Sequence, residues 1–143
     1  QIDDINYWEE CLKKISEMPN NIIIRYNGTF HPKNIKKIFE KKDLLLMPSL
    51  SENFGYAIFE SLSNGVPVIT SNNTPWKDFN IKGVGFNIDL SNHNGFVKAL
   101  EFFQMLDNTE INLIREICIN YALSYSKTKA KENKKTLLND LFK

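Results

Sequence analysis

The chain has 143 residues, 42% hydrophobic and 24% charged. That balance fits a folded domain burying roughly 68–70% of its unfolded surface, and it excludes a disordered or fibrous chain. Eighteen basic against 17 acidic residues leave a net charge of +1, so no global field draws in nucleic acid.

From Asp3 to Met18 the pattern is helical, with Ile5, Trp8, Leu12 and Ile15 three or four apart and charges between them. Pro19-Asn20-Asn21 ends this helix. Ile22–Tyr26 is a β-branched run closed by Asn27-Gly28, and it reads as a first strand. His31-Pro32 opens a second helix carrying Ile35, Ile38 and Phe39. Leu44–Met47 is a second strand, stopped by Pro48. A third helix is expected from about Gly55 to Ser63, with Gly65 as its left-handed end. Pro67–Thr70 is a third strand, Thr74-Pro75-Trp76 the cap and first turn of a short helix, and Val84–Ile88 a weaker fourth strand. Three helices close the chain, about Asn94–Leu106, Glu110–Tyr125 and Thr128–Phe142.

Strands alternating with helices, and apolar without a period of two, predict an α/β fold of Rossmann-like type. Its parallel sheet carries helices on both faces. A unit of this kind ordinarily opens on a strand, whereas this chain opens on a helix. The first strand-helix unit is therefore expected to lie upstream, and residues 1–143 to be a piece of a larger protein. Apolar positions on Asp3–Met18 and at Leu137, Leu138, Leu141 and Phe142 are then expected to seek a partner, self-association included.

In open parallel sheets, ligands bind beyond the carboxyl ends of the strands. That rule nominates the loops Asn27–Phe30, Pro48–Gly55 and Ser71–Trp76. The middle loop is richest, with Ser49, Ser51, Glu52 and Asn53 ahead of Gly55 at the head of a helix. A helix start offers unpaired N–H groups and partial positive charge, which suit a phosphate. Glu52 beside an anion site calls for hydroxyl groups on a neutral part of the ligand. Tyr56 and Glu60, four apart, are expected to face away from the sheet; taken alone, Glu60 reads as an exposed helix acid.

The stretch Ser49-Leu50-Ser51-Glu52-Asn53-Phe54-Gly55-Tyr56-Ala57-Ile58-Phe59-Glu60-Ser61-Leu62, followed by Gly65-Val66-Pro67-Val68-Ile69, Ser71 and Thr74-Pro75-Trp76, resembles the donor-binding C-terminal half of family 4 retaining glycosyltransferases of GT-B fold. Glu52 and Glu60 look like the acids of their E-x7-E motif. The resemblance covers at least Ile22 to about Leu106. It implies that the domain binds a nucleotide-diphosphate sugar and that the full-length protein moves a hexose with retention. Glu52 would contact sugar hydroxyls and Glu60 the ribose diol. Backbone N–H groups at Asn53, Phe54, Gly55 and Tyr56 would meet the sugar or diphosphate, and Asn27, Gly28 and Thr29 would approach the base. The family also holds the diphosphate with an upstream Arg and Lys. Arg25 and Arg115 are misplaced for that task, and the acceptor domain too is expected upstream. By the same resemblance no metal and no other cofactor is expected. The alternatives are a non-catalytic nucleotide-binding module and a sugar-nucleotide epimerase of the same fold. A receiver domain lacks support, because no acidic cluster ends the first apolar strand.

The remaining signals are weaker. Cys11 and Cys118 stand far apart with no CxxC spacing. This excludes a disulfide scaffold or zinc ribbon, fits a reduced cytoplasmic setting, and leaves both as buried small hydrophobes. No apolar run approaches the roughly 18–20 residues of a membrane span, and Gln1–Asp4 lacks the basic start of a signal peptide. The lysine runs 33–42 and 127–135 read as solvated faces, with an anionic membrane surface as the alternative partner. Sixteen lysines against two arginines, and 18 asparagines against four alanines, reflect codon usage more than chemistry. His31 and His93 read as cap and turn residues, and Trp76 as core.

Overall fold

A computed structural model describes the backbone of residues 4–141 and the side chains of that range except 32 and 130–141. The chain divides into two compact units at the His31–Pro32 boundary in the sequence. The first holds helix α1 (Ile5–Ser16), capped by the Asp4 carboxylate, which accepts the Tyr7 N–H at 3.0 Å. Its Trp8 ring lies 4.9 Å from that of Tyr26. Cys11 is half-buried here, not fully buried as expected.

The expected strand Ile22–Tyr26 does not form. Residues 22–31 are irregular, Ile23 is 74% exposed, and the sheet contains only later segments. A β-branched run makes a strand only when its N–H and C=O groups find a ladder, and here they find none.

In the second unit a 3₁₀ turn (Pro32–Asn34) leads into α2 (Ile35–Phe39). Three parallel strands follow, β1 (Leu45–Met47), β2 (Val68–Ser71) and β3 (Gly85–Ile88), in the order β1-β2-β3. Leu45 pairs with Val68, and Val68 with Gly85. Helix α3 (Tyr56–Ser63) connects the first pair and α4 (Phe79–Lys82) the second. Helices α5 (His93–Met105) and α6 (Asn108–Leu141) complete the chain. The α/β, Rossmann-like expectation holds: Ile58 and Leu62 of α3, Phe79 of α4, and Cys118 and Ala122 of α6 bury one face with Val68 and Val84. Ala99 of α5, with Phe96 and Phe103, buries Ile69 and Ile88 on the other.

Two boundaries differ from expectation. Thr74-Pro75-Trp76 is a bend, and its helix starts only at Phe79. The single proton of the Thr74 hydroxyl is shared between the Ser71 carbonyl behind it and the Trp76 carbonyl ahead, 3.4 and 3.3 Å away, and so closes a turn where a helix cap was expected. The last two expected helices are one continuous α6, since Ser126-Lys127 carries neither Gly nor Pro to break it. Leu137, Leu138, Leu141 and Phe142 lie outside the described side chains. Among the described residues no helix is long and apolar enough to cross a membrane.

Gly85 is the tightest point of the sheet. Its φ is 144°, and a Cβ there would lie 1.8 Å from the Val68 carbonyl oxygen. Gly85→Ala is therefore expected to destabilise the domain by on the order of 3 kcal/mol or more, read as a lowered urea midpoint.

Burial pushes the Cys118 thiol up to about 12, with the Arg115 charge opposing part of the rise. A folded pKa above the unfolded one, about 8.5, means this stabilisation is complete below that value. It is lost as pH rises toward about 12. Burial raises Tyr121 in the same direction. In native protein at about pH 8, iodoacetamide should label Cys11 and spare Cys118, and Cys118→Ala should flatten the alkaline loss of stability.

Candidate functional site

Because all three strands run parallel, the loops 48–55, 72–78 and 89–92 leave from one edge of the sheet. Two hydroxyls at the end of β2 tie down the exit of β1. Thr70 Oγ1 donates to the Met47 carbonyl at 2.9 Å, and Ser71 Oγ donates to the Ser49 carbonyl. The Ser71 oxygen also accepts the Asn73 N–H at 3.2 Å, so one side chain joins both loops. Ser49 Oγ in turn lies 2.8 Å from Glu52 Oε1 and 3.0 Å from the Ser51 carbonyl. Glu52 is thus half-buried and steadied by a neutral hydroxyl.

The chain then turns sharply into α3. Gly55 is the N-cap in the left-handed region, φ 76° and ψ 61°, and its carbonyl accepts the Ile58 and Phe59 N–H groups. No side chain caps the start of this helix and no acid stands in its first turn. Helix geometry leaves the Tyr56 and Ala57 N–H groups without intrahelical acceptors, so this end keeps its partial positive charge. Tyr56 is 73% exposed, and its ring lies 4.8 Å from that of Phe54. Glu60, one turn on, is half-buried, while Ile58 and Leu62 carry the core face. The helix therefore presents Tyr56 and Glu60 away from the sheet, as their spacing requires.

Trp76 is core as expected, at 2% exposure, but it also has a polar task that its sequence position did not reveal. Its indole Nε1–H donates to the Phe54 carbonyl at 2.5 Å. Its ring packs on those of Phe54, Phe59 and Tyr125. Asn87 of β3 fixes the loop bearing it: Nδ2 donates to the Trp76 carbonyl and Oδ1 accepts the Phe79 N–H, both at 2.9 Å. A polar side chain inside an otherwise apolar strand was the available signal for Asn87. An aromatic with a polar handle in a carboxyl-edge loop was that for Trp76.

The structure thus brings Glu52, Asn53, Phe54, Gly55, Tyr56 and Glu60 onto one loop-helix junction. Asn27, Gly28 and Thr29 belong to the first unit and follow no strand. A cavity of about 290 Å³ is lined by Pro75 and Trp76 of the nominated loop Ser71–Trp76, with Lys77, Lys82, Tyr121 and Tyr125 among its other walls, and no residue of 49–60 lines it. Lys82 Nζ sits 5.3 Å from the centre of the Tyr121 ring, a cation–π contact. His93 begins α5 behind Asn92, whose side chain accepts the Gly95 N–H at 2.9 Å.

Gly55 is restricted twice over. An added Cβ would meet Ile58 Cδ1 at 3.1 Å and Trp76 Nε1 at 3.3 Å, and the left-handed φ disfavours any side chain. Gly55→Ala should cost about 1–3 kcal/mol, with amide shift changes in NMR spectra concentrated at 53–57.

The family model "Glycosyl transferases group 1" matches residues 6–122. No curated protein matches the chain. With most of its length matched, and with the parallel α/β sheet described above, the chain belongs to the glycosyl transferases group 1 family.

Proposed function

We propose that this glycosyltransferase domain binds the donor, a nucleotide-diphosphate sugar, and that it acts with an acceptor domain to transfer a hexose with retention. One observation carries the reading: an uncapped helix start free of acids in its first turn, with Glu52 on the loop before it and Glu60 one turn along it. The backbone donors suit the diphosphate, since N–H groups at a helix start meet anions without needing a cation. Glu52 and Glu60 face hydroxyls, which a carboxylate accepts in pairs. Glu52 receives the sugar hydroxyls and Glu60 the ribose diol. Catalysis in this half is positioning plus electrostatic stabilisation of the departing diphosphate. No metal or other cofactor enters this proposal.

Titration with uridine, guanosine and adenosine diphosphates, followed by ligand-observed NMR, tests it. A hydrogen bond to a charged group contributes about 1.5–3 kcal/mol. Glu60→Ala should therefore weaken the bound diphosphate about 10- to 100-fold. Glu52→Ala should leave that diphosphate nearly unchanged and weaken only the corresponding nucleotide-sugar. Equal affinity of wild type and Glu60→Ala for every diphosphate would overturn the ribose assignment. Residues 1–143 alone should show no sugar transfer above background when given donor and acceptor.

A further inference from the structure

The Trp76 indole aims the peptide group that opens α3. A trans peptide is planar, so its C=O and N–H point in opposite directions. With the Phe54 carbonyl held on Trp76 Nε1 at 2.5 Å, the Gly55 N–H of the same peptide must point away from the indole. Gly55 makes this control necessary. The peptide could turn over by changing ψ of Phe54 and φ of Gly55, and glycine tolerates either sign of φ. The left-handed value of 76° therefore needs an outside hold. Trp76 supplies it from a rigid place: the residue is 2% exposed, wedged against Phe54, Phe59 and Tyr125, and its own carbonyl is gripped by Asn87.

We propose that Trp76 is a positioning residue for the donor site, locking the Phe54–Gly55 peptide so that the Gly55 N–H joins the Tyr56 and Ala57 N–H groups in facing the donor's diphosphate. The inference rests on the donor-binding reading above and extends it to a side chain that touches no substrate. It separates the two tasks of Trp76. The ring fills the core, and the N–H orients a backbone donor.

The test removes the N–H while keeping the ring. Trp76→Phe does so at some loss of volume. Replacement of Trp76 by 3-benzothienylalanine, which carries sulfur in place of the N–H, does so at nearly the same shape. Two readouts are taken on each folded variant: backbone amide NMR at Phe54, Gly55 and Tyr56, including relaxation dispersion, and titration with inorganic pyrophosphate. In both variants the Gly55 amide should shift and show exchange absent from wild type. Pyrophosphate should bind about five- to tenfold more weakly, the size of the neutral indole–carbonyl hydrogen bond that no longer holds the peptide. Unchanged Gly55 shifts and dynamics in the benzothienyl variant would overturn the proposal. So would a mobilised peptide with undiminished pyrophosphate binding. If wild type ignores pyrophosphate while the variants still mobilise Gly55, the orienting role stands and the diphosphate reading falls.

Discussion

The fold depends on one short strand that has no solvent face. In β2, Val68 belongs to the core beneath α3, α4 and α6, and Ile69 to the core beneath α5. Val68 and Ile69 are apolar at successive positions because the strand is covered on both sides, and parallel neighbours joined by crossover helices supply that cover. The four residues Val68–Ser71 are all buried, so the layers on either side of them are obligatory.

Burial of β2 extends to its polar end, and this is where the fold becomes a site. Thr70 and Ser71 are too deep to find water, so their hydroxyls bond backbone at the exit of β1. Asn87 performs the same service one strand over, for the loop that bears Trp76. The candidate site is thus held by groups that satisfy the sheet's own hydrogen-bonding needs. No described buried side-chain nitrogen or oxygen is left without a partner.

What could be read from the sequence follows from the range of the physics involved. The run Leu44–Met47 and the segment Pro67–Thr70 announced parallel strands, because apolar runs bounded by Pro and Gly are local signals; the expected burial on both faces holds for the second alone, since Leu46 of β1 is exposed. Tyr56 and Glu60 were legible on one helix face because four-residue spacing is also local. Ile22–Tyr26 misled for the converse reason: its composition favours a strand, but a strand exists only with a partner, which composition does not report. Thr74-Pro75-Trp76 misled because a hydroxyl before proline caps helices and closes turns alike, and the Ser71 and Trp76 carbonyls decided between them. The Trp76–Phe54 bond spans 22 positions, beyond the reach of any spacing rule.

The two tryptophans of the chain are divided between its two units, Trp8 in the first and Trp76 in the second. Their surroundings differ: Trp8 is half-buried beside Tyr26, whereas Trp76 is sealed among Phe54, Phe59 and Tyr125. Each unit therefore carries its own built-in fluorophore, the first emitting from a partly hydrated setting and the second from a dry aromatic one. Replacing either tryptophan by phenylalanine leaves a protein whose tryptophan emission, excited selectively above the tyrosine band, comes from one unit alone. The cohesion of the two units, whether they melt together or in sequence, can then be followed without attaching a label.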